Sequence, residues 1–335
     1  MSKSGKVTLE DGLVGRCGLL DEAGFDAART VLDEVERRGL ETIRLAFVDQ
    51  HGVLRGKAIV ASGLASAFRS GVAITSTLLL KDTSHRTVFP VWSDDIGFGA
   101  GTLTGAGDVT MVPDPATFRV LPWSPHSASI LCDVVYKDGT PLPFCSRSIL
   151  KSAVAKLGET GKALVCGLEV EFHVLKVEDP RLAHSDAGMP AAPPATSLIS
   201  HGYQYLTESR YDILEEVMDD LRRAAQGLDL PVRSMEAEFG PSQFEFTFEP
   251  DGPLAHADAM VVFRSMVKEV CRRKGLHATF MCRPKFKDAM ASGWHLPQSL
   301  VDLESGENLV IPEEGQAPSV LCGNWVAGLL AHAHE

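Results

Sequence analysis

The spacing of apolar residues changes several times along the chain. Over 27–38 they recur as Ala28, Val31, Leu32 and Val35, one face of a helix that Gly39 ends. Residues 42–48 (TIRLAFV) are β-rich, and Asp49-Gln50-His51-Gly52 is a turn. Residues 53–60 are extended again, so this stretch predicts a hairpin. A further strand is expected at 129–135 and a helix at 147–157, broken by Gly158 and Gly161. Residues 163–175 are an apolar run, 180–194 a Pro- and Ala-rich loop or mobile flap, and 212–225 an amphipathic helix. A hairpin around Gly240-Pro241 spans 233–250, followed by a helix over 255–273 and a strand over 277–281. Residues 1–25 show no clear period and are expected to be loosely ordered, and the stretch from Asp94 is rich in Gly and Asp.

Acidic residues break these apolar patterns at particular places. The run 163–175 is interrupted only by Glu169, Glu171 and His173. Residues two apart share a strand face, so Glu169 and Glu171 stand side by side, with Leu168, Val170 and Phe172 on the other face. Two adjacent carboxylates on a buried strand repel each other and are costly to desolvate, and a divalent cation between them removes that cost. The alternative is a solvated strand face. A second acidic set is Glu236, Glu238 and Glu245, in a hairpin where Phe244, Phe246 and Phe248 alternate with polar residues. Across the turn Glu238 and Glu245 would converge on a ligand, or else form the acidic outer face of an edge hairpin. A third segment, Ser292-Gly293-Trp294-His295, offers an imidazole, which is as readily structural as ligating.

The 335 residues suffice for two domains, a smaller one to about 125 and a larger α+β one beyond it. A net charge of -12 argues against nucleic acid as a partner. Residues 1–15 are not a secretory signal, and no apolar run reaches the length of a membrane span. The seven cysteines are scattered without a Cys-x-x-Cys pair, as expected of reduced thiols in the cytoplasm.

In their order and spacing these segments resemble the glutamine synthetase family. Gly167-Leu168-Glu169-Val170-Glu171-Phe172 matches its Gly-x-Glu-x-Glu-Phe strand. Glu238-Phe239-Gly240-Pro241-Ser242-Gln243-Phe244-Glu245 matches its acidic hairpin, with Ser242 in place of a Gly, and Ser292-Gly293-Trp294-His295 matches its Ser-Gly-x-His segment. Gly107-Asp108, Pro113-Asp114-Pro115 and Leu121-Pro122-Trp123 look like its interdomain link. Val326-Ala327-Gly328-Leu329-Leu330-Ala331-His332 looks like its apolar helix.

The resemblance implies an α+β protein: a tail over 1–25, a β-grasp domain over 26–125, and over 126–335 a glutamine synthetase/guanidino kinase-like catalytic domain on an antiparallel sheet, incomplete at its C-terminal end. By position Glu171, Glu238 and Glu245 would bind one metal, Mg²⁺ or Mn²⁺, and Glu169 and His295 another. With ATP as co-substrate, such an enzyme joins a carboxylate to an amine through an acyl phosphate, and its copies form a ring. Three departures bear on substrate. Ile74-Thr75-Ser76-Thr77 lacks the family's ammonium-binding Asp, Met290-Ala291 replaces an Asn-Gly that holds the amino acid, and Pro297 replaces a nucleotide-contacting His. The family's remaining metal-binding Glu, phosphate-binding arginines and flap Glu would lie past Glu335. The expected activity is glutamate ligation to an amine other than ammonia. A non-catalytic, metal-binding paralogue and a guanidino kinase-like phosphotransferase are the alternatives.

Overall fold

The computed structural model describes residues 8–93, 103–180, 183–312 and 318–334. The chain opens with a short helix, α1 (Leu13–Arg16), then α2 (Glu22–Arg38), strands β1 (Thr42–Val48) and β2 (Leu54–Val60), α3 (Leu64–Ser70) and β3 (Val72–Thr75). Strands β4 (Asp108–Pro113), β5 (Arg119–Val120) and β6 (Ser127–Val135) follow. They form a mixed sheet in the order β2-β1-β6-β4-β3, with β5 against β6. Strands β1 and β2 are the expected hairpin, in register from Thr42 opposite Val60 to Val48 opposite Leu54, while β6 runs parallel to β1. Ile43, Leu45 and Phe47 point inward with Phe68, Met111 and Ile130, and α2 contributes Ala28, Val31 and Val35 to the same core.

Two expectations change here. The sheet extends to Val135, so its last long strand lies past the boundary expected at 125. Residues 8–25 are not loose: Val14 is fully buried, and α2 starts early because the Asp21 side chain accepts a hydrogen bond from the Gly24 N–H at 2.8 Å. Residues 1–7 and the first part of the Gly- and Asp-rich stretch, 94–102, lie outside the described residues.

The second sheet is built on β7 (Lys162–Val177), a strand of 16 residues. One of its edges pairs with β10 (Gln243–Asp251) and then with β8 (Thr196–Leu198). The other takes β11 (Leu276–Thr279), β12 (Trp294–His295) and β13 (Gln298–Asp302) in turn, and β9 (Val232–Ala237) pairs with the far side of β10. All these pairings are antiparallel. The expected loop at 180–194 carries only a one-turn helix at His184–Asp186 among its described residues.

Helices α5 (Glu208–Gln226) and α6 (Pro253–Arg273) cover one face of this sheet. On α6 the buried residues Ala259, Met260, Phe263, Met266, Val267 and Val270 recur every three or four positions, one stripe of a helix. They meet Leu168, Val170, Phe172 and Val174 from β7 and Phe244, Phe246 and Phe248 from β10. Phe172 stacks on Phe244 and Phe280, with ring centroids 5.7 and 5.0 Å apart. Packing the apolar face this tightly leaves the polar face of the same strands turned away from the helices.

The two sheets are joined by charge. Arg147, on α4 (Ser146–Gly158), is buried and bonds Asp114 and Asp258 at 2.8 Å and Asp133 at 3.0 Å. Arg44 on β1 holds both carboxylate oxygens of Glu269 on α6 at 2.8 Å, and Trp123 donates to the same group. The last helix, α7 (Val320–Ala331), is the expected apolar one, and none of its residues is buried. No helix among the described residues is long and apolar enough to cross a membrane.

Candidate metal centre

Register assembles the polar face. Strand β10 lies between β7 and β9, so Glu245 stands opposite Glu171 on one side and Glu236 on the other. One row along, Glu169 faces Thr247, and on its other flank it faces His295. Glu238 enters from the end of β9, where its N–H donates to the Gln243 carbonyl at 3.1 Å. The turn between Glu238 and Glu245 depends on Ser242, which has φ 56 in the left-handed region that favours glycine. Ser242 Oγ accepts from the N–H groups of Ile199 and Ser200 at 2.8 and 3.2 Å, which offsets that strain.

All five residues singled out from the sequence come together. Ligand atoms of Glu171, Glu238 and Glu245 lie within 4.8 Å of one another, and so do those of Glu169, Glu245 and His295. Glu245 belongs to both groups, which the sequence did not suggest. His295 Nδ1 is 3.1 Å from Glu169 Oε2. Gln243 donates from Nε2 to Glu171 Oε2 at 2.7 Å and to the Ala291 carbonyl at 3.1 Å. It accepts from the Gly240 N–H at 2.8 Å. His173 is fully buried behind this row, with Nδ1 3.3 Å from Ser292 Oγ, and burial lowers its pKa to about 4, so it is neutral. Gln243 and Gly293 were visible in the motifs, but nothing in the sequence marked what they do here. The segment Ile74-Thr75-Ser76-Thr77 lies at the edge of the first sheet, away from the strands that carry the carboxylates.

The electrostatics follow from crowding. Burial, then a hydrogen bond and the negative charge of Glu238, then the charges of Glu236 and Glu171, push Glu245 up to about 8. Burial and the charge of Glu238 also raise Glu171, against the Gly293 contact and His295. Without a counter-charge this cluster retains a proton near neutrality, and a bound cation would displace it.

The donor set fits a hard divalent cation, since it is carboxylate oxygens with one imidazole. A second observation agrees. A Cβ on Gly293 would stand 2.6 Å from Glu171 Oε1 and 2.9 Å from His295 Nε2, so the absent side chain leaves open the space between the two donor groups. Beside Glu169 and Glu236 lies a cavity of about 650 Å³, also lined by Arg233, Ser234, Thr247 and Gln298.

The family described as "Glutamine synthetase, catalytic domain" matches residues 143–335. The chain belongs to the glutamine synthetase family. Among glutamine synthetase relatives it is 40% identical over 314 residues to a gamma-glutamylanilide synthase of an Acinetobacter species, covering 92% of this chain and 63% of that protein. It is 30% identical over 306 residues to a glutamate–isopropylamine ligase of a Pseudomonas species, covering 91% and 64%. A solved structure of a GmaS/ADP complex shares the fold, with a TM-score of 0.71 at 23% identity over 90% of this chain and 62% of that one. The chain thus spans less than two thirds of the length of each of these proteins.

Proposed function

We propose that the protein works as an ATP-dependent ligase joining glutamate to an amine larger than ammonia. The observation that carries this is the pair of donor groups on one strand face, Glu171–Glu238–Glu245 and Glu169–Glu245–His295, in a chain of this family. The names of the two sequence relatives, an anilide synthase and an isopropylamine ligase, support an organic amine. On this reading the first sheet is the family's β-grasp domain, and copies of the protein assemble head to tail in a ring.

Mg²⁺ or Mn²⁺ at the two donor groups would supply positive charge against phosphate oxygens. The chain's own residues set up that site. Gln243 fixes one oxygen of Glu171, leaving the other free to coordinate, and Glu169 holds the His295 ring. The cavity beside Glu169 has a size that suits a nucleotide. In the reaction, a glutamate carboxylate oxygen attacks the γ-phosphorus of ATP and ADP leaves. The amine nitrogen then attacks the acyl carbon, phosphate departs and the nitrogen gives up a proton.

The test is phosphate release and amide formation with ATP, Mg²⁺ and glutamate, comparing ammonia with alkylamines, polyamines, ethanolamine and an aniline. An organic amine is expected to be the best substrate. Ammonia as the best substrate refutes the choice of amine. No amide with any of them, while Mn²⁺ still binds, would instead favour a non-catalytic metal-binding role.

A further inference from the structure

We infer that Phe239 sets the amine specificity of the centre and selects an aromatic amine; this rests on the ligase reading above. Phe239 follows Glu238 directly, and its backbone N–H donates to Glu238 Oε2 at 2.8 Å, which ties the main chain at Phe239 to a carboxylate of the row. A large apolar side chain beside an acidic cluster would ordinarily turn inward, yet this ring is 41% exposed.

It is held there by a neighbour. Tyr203 meets it edge to face, with centroids 5.3 Å apart and planes at 75°. Tyr203 is itself fixed: its φ is 68, its N–H donates to the Phe239 carbonyl at 2.6 Å, and its hydroxyl donates to the Asp288 carbonyl at 3.0 Å. A non-glycine residue in the left-handed region is strained, and here three contacts sustain it. Tyr205, also half exposed, has Glu238, Glu236, Glu245 and Glu171 as its charged neighbours. Tyr205 thus lies among the carboxylates, and the half-exposed pair Phe239–Tyr203 starts at the residue next to Glu238.

An aromatic wall favours a flat aromatic partner, stacked or edge to face. The chemistry points the same way. The lone pair of an arylamine is delocalised into its ring, so it arrives unprotonated at neutral pH and attacks without a base to remove a proton first. The acidic side chains of the row are then free to serve as cation ligands. An alkylamine of equal size arrives as an ammonium ion, carries its hydration shell and must lose a proton before it can attack.

The experiment follows ring-proton relaxation of aniline caused by Mn²⁺ bound to the full chain, with cyclohexylamine as the aliphatic probe of the same size. The wild type is expected to bind aniline roughly ten-fold more tightly than cyclohexylamine, and F239A to lose about that factor for aniline alone. F239Y should restore it, and Mn²⁺ affinity, measured in parallel, should be unchanged in both variants. No aniline relaxation in the wild type, the same relaxation in F239A, or an equal loss for both amines overturns the inference. Aniline bound through Phe239 with no anilide formed from ATP, Mg²⁺ and glutamate would sink the ligase reading and leave the subsite standing. Amides formed with one amine preference in wild type and F239A would do the reverse.

Discussion

Replacing Gly293 by alanine should weaken metal binding while leaving the fold almost untouched. The new Cβ would lie 2.6 Å from Glu171 Oε1, 2.9 Å from His295 Nε2 and 3.1 Å from His295 Cε1. Carbon contacts relax near 3.5 Å, so the Glu171 carboxylate must retreat by about 1 Å. It cannot retreat freely, because Gln243 holds its other oxygen at 2.7 Å. Metal–ligand distances tolerate about 0.2 Å, so a shift of this size removes Glu171 as a ligand and disturbs His295. Misplacing one ligand costs about 10- to 100-fold in affinity, or about 1.4–2.7 kcal/mol. The clashing atoms are the ends of side chains and Gly293 is not in the left-handed region, so the fold should lose less than about 1 kcal/mol. Calorimetric titration with Mn²⁺, beside thermal melts without metal, separates the two effects. Mn²⁺ affinity within two-fold of the wild type would refute the reasoning, because the added carbon would then occupy space that no ligand needs.

Further outcomes follow from the same geometry. Glu245→Gln removes one charge from a crowded row, so it should raise the stability of the metal-free protein at pH 8 while weakening Mn²⁺ binding at least about ten-fold, read by melts and titration. Glu245 titrates higher in the folded chain than its ordinary 4.5, so its stabilising share is complete below pH 4.5 and is lost as pH rises toward about 8. Metal-free melting temperature should therefore fall over that window as far as this residue sets it, Mn²⁺ affinity should rise across it, and the Glu245→Gln variant should flatten both trends. Arg147→Ala leaves Asp114, Asp133 and Asp258 facing one another with Lys151 as the nearby cation, and urea unfolding should show a loss of about 3–5 kcal/mol.

Local pattern was enough to find what lies on one strand or one helix. The alternation of Phe244, Phe246 and Phe248 with Glu245 and Thr247 fixed which face of β10 is polar, and the helix over 255–273 was legible as a helix, though not as the cover of the other face. What escaped depends on pairing between distant segments. Strand β6 joins β1 in parallel across more than 80 residues, and no local signal assigns a strand to one sheet rather than another. The meeting of Tyr203 with Phe239 needs a left-handed residue that is not glycine, which sequence reading discounts. The openness at Gly293 is a fact about a neighbouring strand, which the Ser-Gly-x-His segment alone does not show.

The two donor groups differ in how firmly their backbones are held. Glu171 and Glu245 sit on the long central strands, paired on both sides, whereas His295 lies on a two-residue edge strand with both of its residues exposed. Edge segments of this kind open with little free energy, while the middle of a sheet opens only when the whole domain does. The first cation would thus meet Glu171 and Glu245 in place beforehand, with Glu238 added from just past the end of β9. The second must also quiet the strand that brings its imidazole, so it would load later, leave sooner, and slow amide hydrogen exchange around Trp294 and His295 when it arrives.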